Sequence, residues 1–303
     1  MFSREGITRN ITETEQSQES ISEVDSQYFE GWDDFQIEGN PELMDTIKKN
    51  ILDSEVIKES EFKRLAEERG IPVDDLKKLV QEKIESLIGN SDFFTAVNVH
   101  VLKQILLEDH RFKSQFETYK SGAFCSPSSR SIKEHIMFGF EDDILHDKEK
   151  RPIYGYFSDG ENGEMNSEGK VPPPNNVARY GAVSIKIKKE IALRKATITF
   201  QDSLLYCYSN VPPTPAARPH LVGLFPGQIE SIVDGSKVNT RMPINPYNYN
   251  EAQYHGGLNL DDIESIHISA KNGLNRVELF RIKRIFEKFK KENPDSHVEL
   301  VLY

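Results

Sequence analysis

The stretch YGAVSIKIK at residues 180–188 sets Val183, Ile185 and Ile187 against Ser184, Lys186 and Lys188 in strict alternation. Successive side chains of an extended chain point to opposite faces, so this period of two predicts a strand with one face in a core and the other polar. One-sided burial favours antiparallel pairing, because parallel strands are usually covered on both faces. Similar β-rich runs at residues 153–157, 196–200, 221–225 and 265–268 alternate with Gly, Pro and Asn clusters, which predicts a sheet domain. Two segments between them, 161–176 and 211–219, are Gly-rich or Pro-rich and poor in apolar residues; they are predicted as long loops framing a cleft.

Downstream, residues 275–291 read as an amphipathic helix with Val277, Phe280, Ile282, Ile285, Phe286 and Phe289 facing inward, stopped by Asn293-Pro294, and residues 297–302 as a closing strand. Upstream, residues 131–140 and 101–109 have helical spacing, whereas FFTAVNVH at 93–100 fits strand and helix equally. Residues 36–92 are predicted as a helical module. Asn40-Pro41 opens a helix of about three turns carrying Leu43, Ile47 and Ile51; Phe62, Leu65 and Ala66 precede Gly70; and Leu76, Leu79, Val80, Ile84 and Leu87 follow Pro72. The module reads either as a partner-docking unit or as a cap on the sheet domain. Residues 1–35 form an acidic, Ser-, Thr- and Gln-rich tail, predicted as disordered because it has too little apolar surface to offset the entropy of ordering.

Composition narrows the function classes. With 303 residues the chain has enough length for one large domain or two smaller ones. A formal charge of -11 argues against general nucleic-acid binding and favours a basic or mixed-charge protein partner. Cys125 and Cys207 are the only cysteines, which suits a reducing compartment, and no run approaches the ~20 apolar residues of a membrane helix. The sequence lacks a Gly-rich phosphate loop with its Lys, a dinucleotide glycine fingerprint and a nucleophile elbow, and its histidines show no metal-ligand pairing, so no metal is expected.

What remains is an ordered series of short polar motifs: QFETYKSG at 115–122, RPIYGY at 151–156, ARYGAVSIKI at 178–187, TITFQDS at 197–203 and NEAQYHGG at 250–257, followed by DDIESIHIS. In this order they resemble the CHART-type (CteC-like) bacterial mono-ADP-ribosyltransferase effectors, over roughly residues 95–270. The resemblance implies an α+β fold in which the helical N-terminal region is followed, over residues 93–303, by an ADP-ribosyltransferase-like split antiparallel β-sandwich with flanking helices. It also implies NAD as co-substrate, a protein hydroxyl as acceptor, a threonine of ubiquitin in particular, and a monomeric effector delivered into a host cell's cytoplasm, the bacterial cytoplasm being the alternative.

The residues suit that chemistry. Breaking the nicotinamide–ribose bond leaves an oxocarbenium-like centre, which calls for negative charge beside the ribose. Glu251 is the acid that matches the family's strand-borne glutamate, and Gln253 and His255 share its face of an extended chain. The better-known transferases place the catalytic glutamate second in such a pair, so Glu251 and Gln253 both remain candidates for the main position. Arg151 and Arg179 are candidates for the diphosphate, since a guanidinium meets it bidentately. Tyr154, beside Gly155, and Tyr180 are candidates for stacking on a ring, Thr118, Ser121 and Gly122 for a turn around the nicotinamide, Glu117 for a second carboxylate, and Asp202 and Ser203 for hydrogen bonds across the cleft. An NAD glycohydrolase toxin would use the same residues, and a non-catalytic interaction protein that keeps the fold as a scaffold is a further alternative, suggested by the acidic tail and the helical module.

Overall fold

The computed structural model describes residues 43–119, 126–140, 148–158, 177, 180–200, 203, 213–224, 227–234, 249–268 and 274–302. The predicted tail, the loop at 161–176, both cysteines, and the candidates Ser121, Gly122, Arg179 and Asp202 lie outside these residues.

Helix α1, Leu43–Arg69, is twice the predicted length and merges what the sequence reading divided. Residues 53–61 contain no Gly or Pro, and pairs such as Lys58–Glu55 and Arg64–Glu61 sit one turn apart, so nothing interrupts the ladder. It stops at Gly70, whose φ of +64° lets the Ile71 amide reach back to the Ala66 carbonyl. Helix α2, Val73–Asn90, starts after Pro72 and buries Leu76, Val80, Ile84 and Ile88, one per turn. The ambiguous run resolves into both elements: β1 is Asp92–Val97, and Asn98 then caps α3, Val99–Gln104, by accepting from the Val101 amide. Next come α4, Gln115–Thr118, and α5, Pro127–Phe138, which ends on Gly139 at φ +74°. The remaining elements are β2 (Ile153–Ser158), β3 (Val183–Ile187), α6 (Lys189–Lys195), β4 (Ala196–Thr199), β5 (Thr214–Pro215), α7 (Gln228–Val233), β6 (Asn250–Tyr254), β7 (Ile263–Ile268), α8 (Arg276–Glu292) and β8 (Glu299–Leu302).

The strands form one sheet of eight in the order β5-β4-β6-β2-β1-β3-β7-β8. Neighbours are antiparallel except β7 and β8, which run parallel. The architecture is therefore α+β. The expected division into two packed sheets is not seen among the described residues, because β6 pairs with both β4 and β2 and carries the hydrogen bonding across.

The pleat sorts residues cleanly. One face carries Phe93, Ile153, Phe157, Ile185, Ile198, Ala252 and Ile266, which pack with Phe62, Leu76, Val80, Ile84, Ile282 and Phe289 of the helices in one core. The helical region thus shares the sheet's core, and residue 92 marks a change of element within a single compact unit, Ile37–Tyr303. The opposite face carries Phe94, Tyr154, Tyr156, Ser184, Thr197, Thr199, Glu251 and Gln253. It is polar as predicted but not wet: Ser184, Thr197 and Gln253 are fully buried.

Three sequence expectations need correction. Residues 221–224 are not a strand: Pro219 starts a 3-10 turn, Pro219–Leu221, although Leu221, Val222 and Leu224 are still buried. The segment expected as a loop supplies β5, an edge strand where Pro215 needs to donate nothing. In α8 only Ile282 and Phe289 are fully buried; Val277 and Phe280 are 59% and 61% exposed because the helix meets the core along a narrow stripe.

Gly155 holds the two faces in register. A methyl group there would lie 2.1 Å from the Phe94 carbonyl oxygen and 2.7 Å from the Tyr254 ring, which crosses the glycine to donate to that same carbonyl. Because the obstruction is backbone, Gly155→Ala is expected to cost about 2–3 kcal/mol, read as a lowered denaturant midpoint; a cost below about 0.5 kcal/mol would show that the strands part freely here.

Candidate active site

Glu251 is the centre of the polar face. It sits mid-strand in β6, opposite Tyr156 of β2 and Thr199 of β4, and is 1% exposed. A carboxylate this deep requires donors, and it has them: the Ser203 hydroxyl and the Gln253 amide (2.8 Å) on Oε1, and the Tyr249 hydroxyl (3.1 Å) on Oε2. Gln253, one pleat further on, also bonds Thr199 and Thr197, and His255 follows with its Nε2 3.0 Å from the Thr197 hydroxyl. Burial among apolar groups, with Phe138 edge-on to the ring, pushes the His255 pKa down to about 3, so this histidine is neutral at physiological pH.

Beside Glu251 lies a recess of about 60 Å³ lined by Ala96, Arg130, Tyr154, Gly155, Tyr156, Val177, Tyr180, Tyr249 and Glu251. Tyr180 and Tyr249 meet edge to face and share a hydroxyl contact of 3.1 Å. Arg130 of α5 is 4% exposed and lays its guanidinium 3.9 Å from the centre of the Tyr154 ring.

Of the sequence-predicted residues, Glu251, Tyr154, Gly155 and Tyr180 line this recess, and Gln253 and Ser203 hold the carboxylate. His255 stands two hydrogen bonds behind Gln253, through Thr197. Arg151 is elsewhere: it is 1% exposed, lies between the Phe116 and Phe140 rings, and pairs with Glu134 at 3.2 Å. It is a structural ion pair and not a recess cation. Glu117 closes a capping box with Ser114 and pairs with Arg111, and Thr118 bonds back to the Ser114 carbonyl within α4, so neither lines the recess. The reading missed Arg130, Tyr249, Thr197 and Glu134. Arg130 follows the Ser126-Pro127 helix opening, and only the tertiary packing of α5 against β2 distinguishes it from a surface arginine.

Glu134 ties the ion pair to the recess, because it accepts from Tyr154 (2.9 Å) as well as from Arg151. Burial outweighs the attraction of Arg130 and Arg151 and pushes its pKa up to about 7. A carboxyl whose folded pKa lies above its unfolded one stabilises the fold fully only below the unfolded value, near 4.3, and that contribution is lost as pH rises through 7. Stability of the wild type is thus expected to fall between pH 5 and 8 more steeply than that of Glu134→Gln; equal slopes in urea titrations at the two pH values would refute the assignment.

Among the described residues no group of three or more His, Cys, Asp or Glu side chains is placed to hold a metal ion, and no helix is long and apolar enough to cross a membrane. Neither a protein-family model nor a curated protein matches this chain.

Proposed function

We propose that this protein is an NAD-dependent mono-ADP-ribosyltransferase that moves ADP-ribose from NAD to a protein hydroxyl. The observation that carries the reading is Glu251, a buried strand carboxylate fixed by donors at the edge of a tyrosine-lined recess. The order of motifs along the chain supports it too, and Arg130 supplies a guanidinium at the recess, although Arg151, expected at the diphosphate, does not line it. In this reading the bond between the ribose C1′ and the nicotinamide nitrogen breaks, its electron pair leaving with nicotinamide. Glu251 binds the ribose 2′-hydroxyl and stabilises the positive charge developing at C1′, which the acceptor oxygen then attacks with release of its proton. Tyr180 and Tyr249 present rings to the nicotinamide, and Arg130 offers N–H donors to its carboxamide.

Small-molecule clefts usually enclose about 300–1,000 Å³, so a recess of about 60 Å³ admits a sugar hydroxyl or a ring edge and only the reacting end of a dinucleotide. That small volume favours a second reading, a non-catalytic interaction protein on the same scaffold. Absence of calorimetric NAD binding would select it, while NAD consumption without a modified acceptor would select a glycohydrolase.

The resemblance nominates a threonine of ubiquitin as acceptor, and with it an effector acting in a host cell's cytoplasm or, alternatively, an enzyme of the bacterial cytoplasm. Intact-mass analysis of ubiquitin incubated with the protein and NAD is expected to show a species heavier by one ADP-ribose. Unchanged ubiquitin together with an unchanged host lysate would contradict a transferase.

A further inference from the structure

A file of hydrogen bonds runs behind Glu251, away from the recess. Thr197 of β4 stands directly opposite Gln253 of β6, and its Oγ1 lies 2.8 Å from Gln253 Oε1 and 3.0 Å from His255 Nε2. All three residues are fully buried, and the His255 amide is pinned to the Lys195 carbonyl at 2.8 Å, so no water-filled space is needed to explain the spacing. A threonine hydroxyl has one proton. It donates to one of these neighbours and accepts from the other.

The Glu251 end decides which. The amide atom of Gln253 facing Glu251 is 2.8 Å from Oε1, and two acceptor oxygens do not share that distance. The NH₂ group of Gln253 therefore faces Glu251 and its carbonyl faces Thr197. Thr197 then donates to Gln253 and accepts from His255, which must carry its proton on Nε2. The neutral ring has no second N–H, and Nδ1 has no hydrogen-bond partner among the described residues. Every proton in the file points toward Glu251.

We propose that Thr197 and His255 are positioning residues that brace the Gln253 side chain from behind, through its carbonyl, while its NH₂ group holds Glu251 at the edge of the recess. The catalytic consequence rests on the transferase reading; the placement of the protons does not. With Thr197 removed, the Gln253 carbonyl loses its donor and the side chain is held only through its NH₂ group, by Glu251 and Thr199, so the carboxylate is held less firmly without losing its charge. Thr197→Ser keeps the hydroxyl and the file, whereas Thr197→Val keeps the volume and breaks it.

The test is NMR of the full chain labelled with ¹⁵N-histidine, in the wild type and both variants, followed by NAD turnover. The expected wild-type His255 is neutral, protonated on Nε2, with that proton hydrogen-bonded and slow to exchange. Thr197→Val loses the bonded-proton signature and about 10²-fold in kcat with KM little changed, while Thr197→Ser retains both. A proton on Nδ1 in the wild type overturns the proposal, as does undiminished turnover in Thr197→Val where the wild type is active. If the wild type does not cleave NAD, the transferase reading fails while the His255 tautomer still decides this one; if Thr197→Val does not fold, the wild-type tautomer and Thr197→Ser decide it.

Discussion

Glu251→Gln is expected to lower the rate of nicotinamide release from NAD by on the order of 10³-fold, through kcat, with NAD affinity changed far less. The substitution is nearly isosteric. Its amide oxygen can accept from Ser203 and Gln253, the two donors that share Oε1, while its NH₂ turns toward Tyr249, whose hydroxyl can rotate to accept. The fold therefore survives, and what disappears is the charge beside the ribose carbon. Stability within about 1 kcal/mol of wild type, read from urea unfolding, separates this loss from unfolding. A variant that is folded and fully active would remove Glu251 from the chemistry.

Arg151→Ala is expected to have the largest effect on stability, about 3–5 kcal/mol, or a fall in Tm of roughly 10 °C. Arg151 is wholly buried and fills the gap between Phe116 and Phe140, so the change opens a cavity as well as removing Glu134's partner. Glu134 escapes part of the penalty by taking up a proton, which it does more readily once a guanidinium is gone. The deficit is therefore expected to be larger at pH 8 than at pH 5, and thermal melts at the two values check this. A cost below about 1 kcal/mol at both would mean that the pair is not buried in solution.

Much of the fold was legible because binary patterning is a local property. Val183, Ile185 and Ile187 announced β3, Leu76, Val80 and Ile84 announced α2, and the helix expected from Asn275 does start there, with Asn275 as its cap. The misreadings have physical causes. Residues 221–224 are apolar because they enter the core, not because they pair, and burial without pairing leaves the same composition as a strand. The two-residue β5 is too short for any period, and the partial burial of α8 depends on how far its neighbours reach.

The site divides in the same way. Glu251, Gln253 and His255 share one face of a strand, so their spacing of two was sufficient to group them. Arg130 and Thr197 reach the site from an unrelated helix and a neighbouring strand, and no local spacing encodes that meeting. Arg151 misled because an arginine serving a diphosphate and one serving a buried glutamate have the same flanking sequence; only Glu134, one turn beyond Arg130 on α5, tells them apart.

If the reacting end of NAD enters the recess beside Glu251, a crystal structure of the full chain grown with NAD will show the nicotinamide ribose there, its 2′-hydroxyl within about 3 Å of a Glu251 oxygen. A dinucleotide bound on another surface, or a recess left without one at saturating NAD, would contradict it.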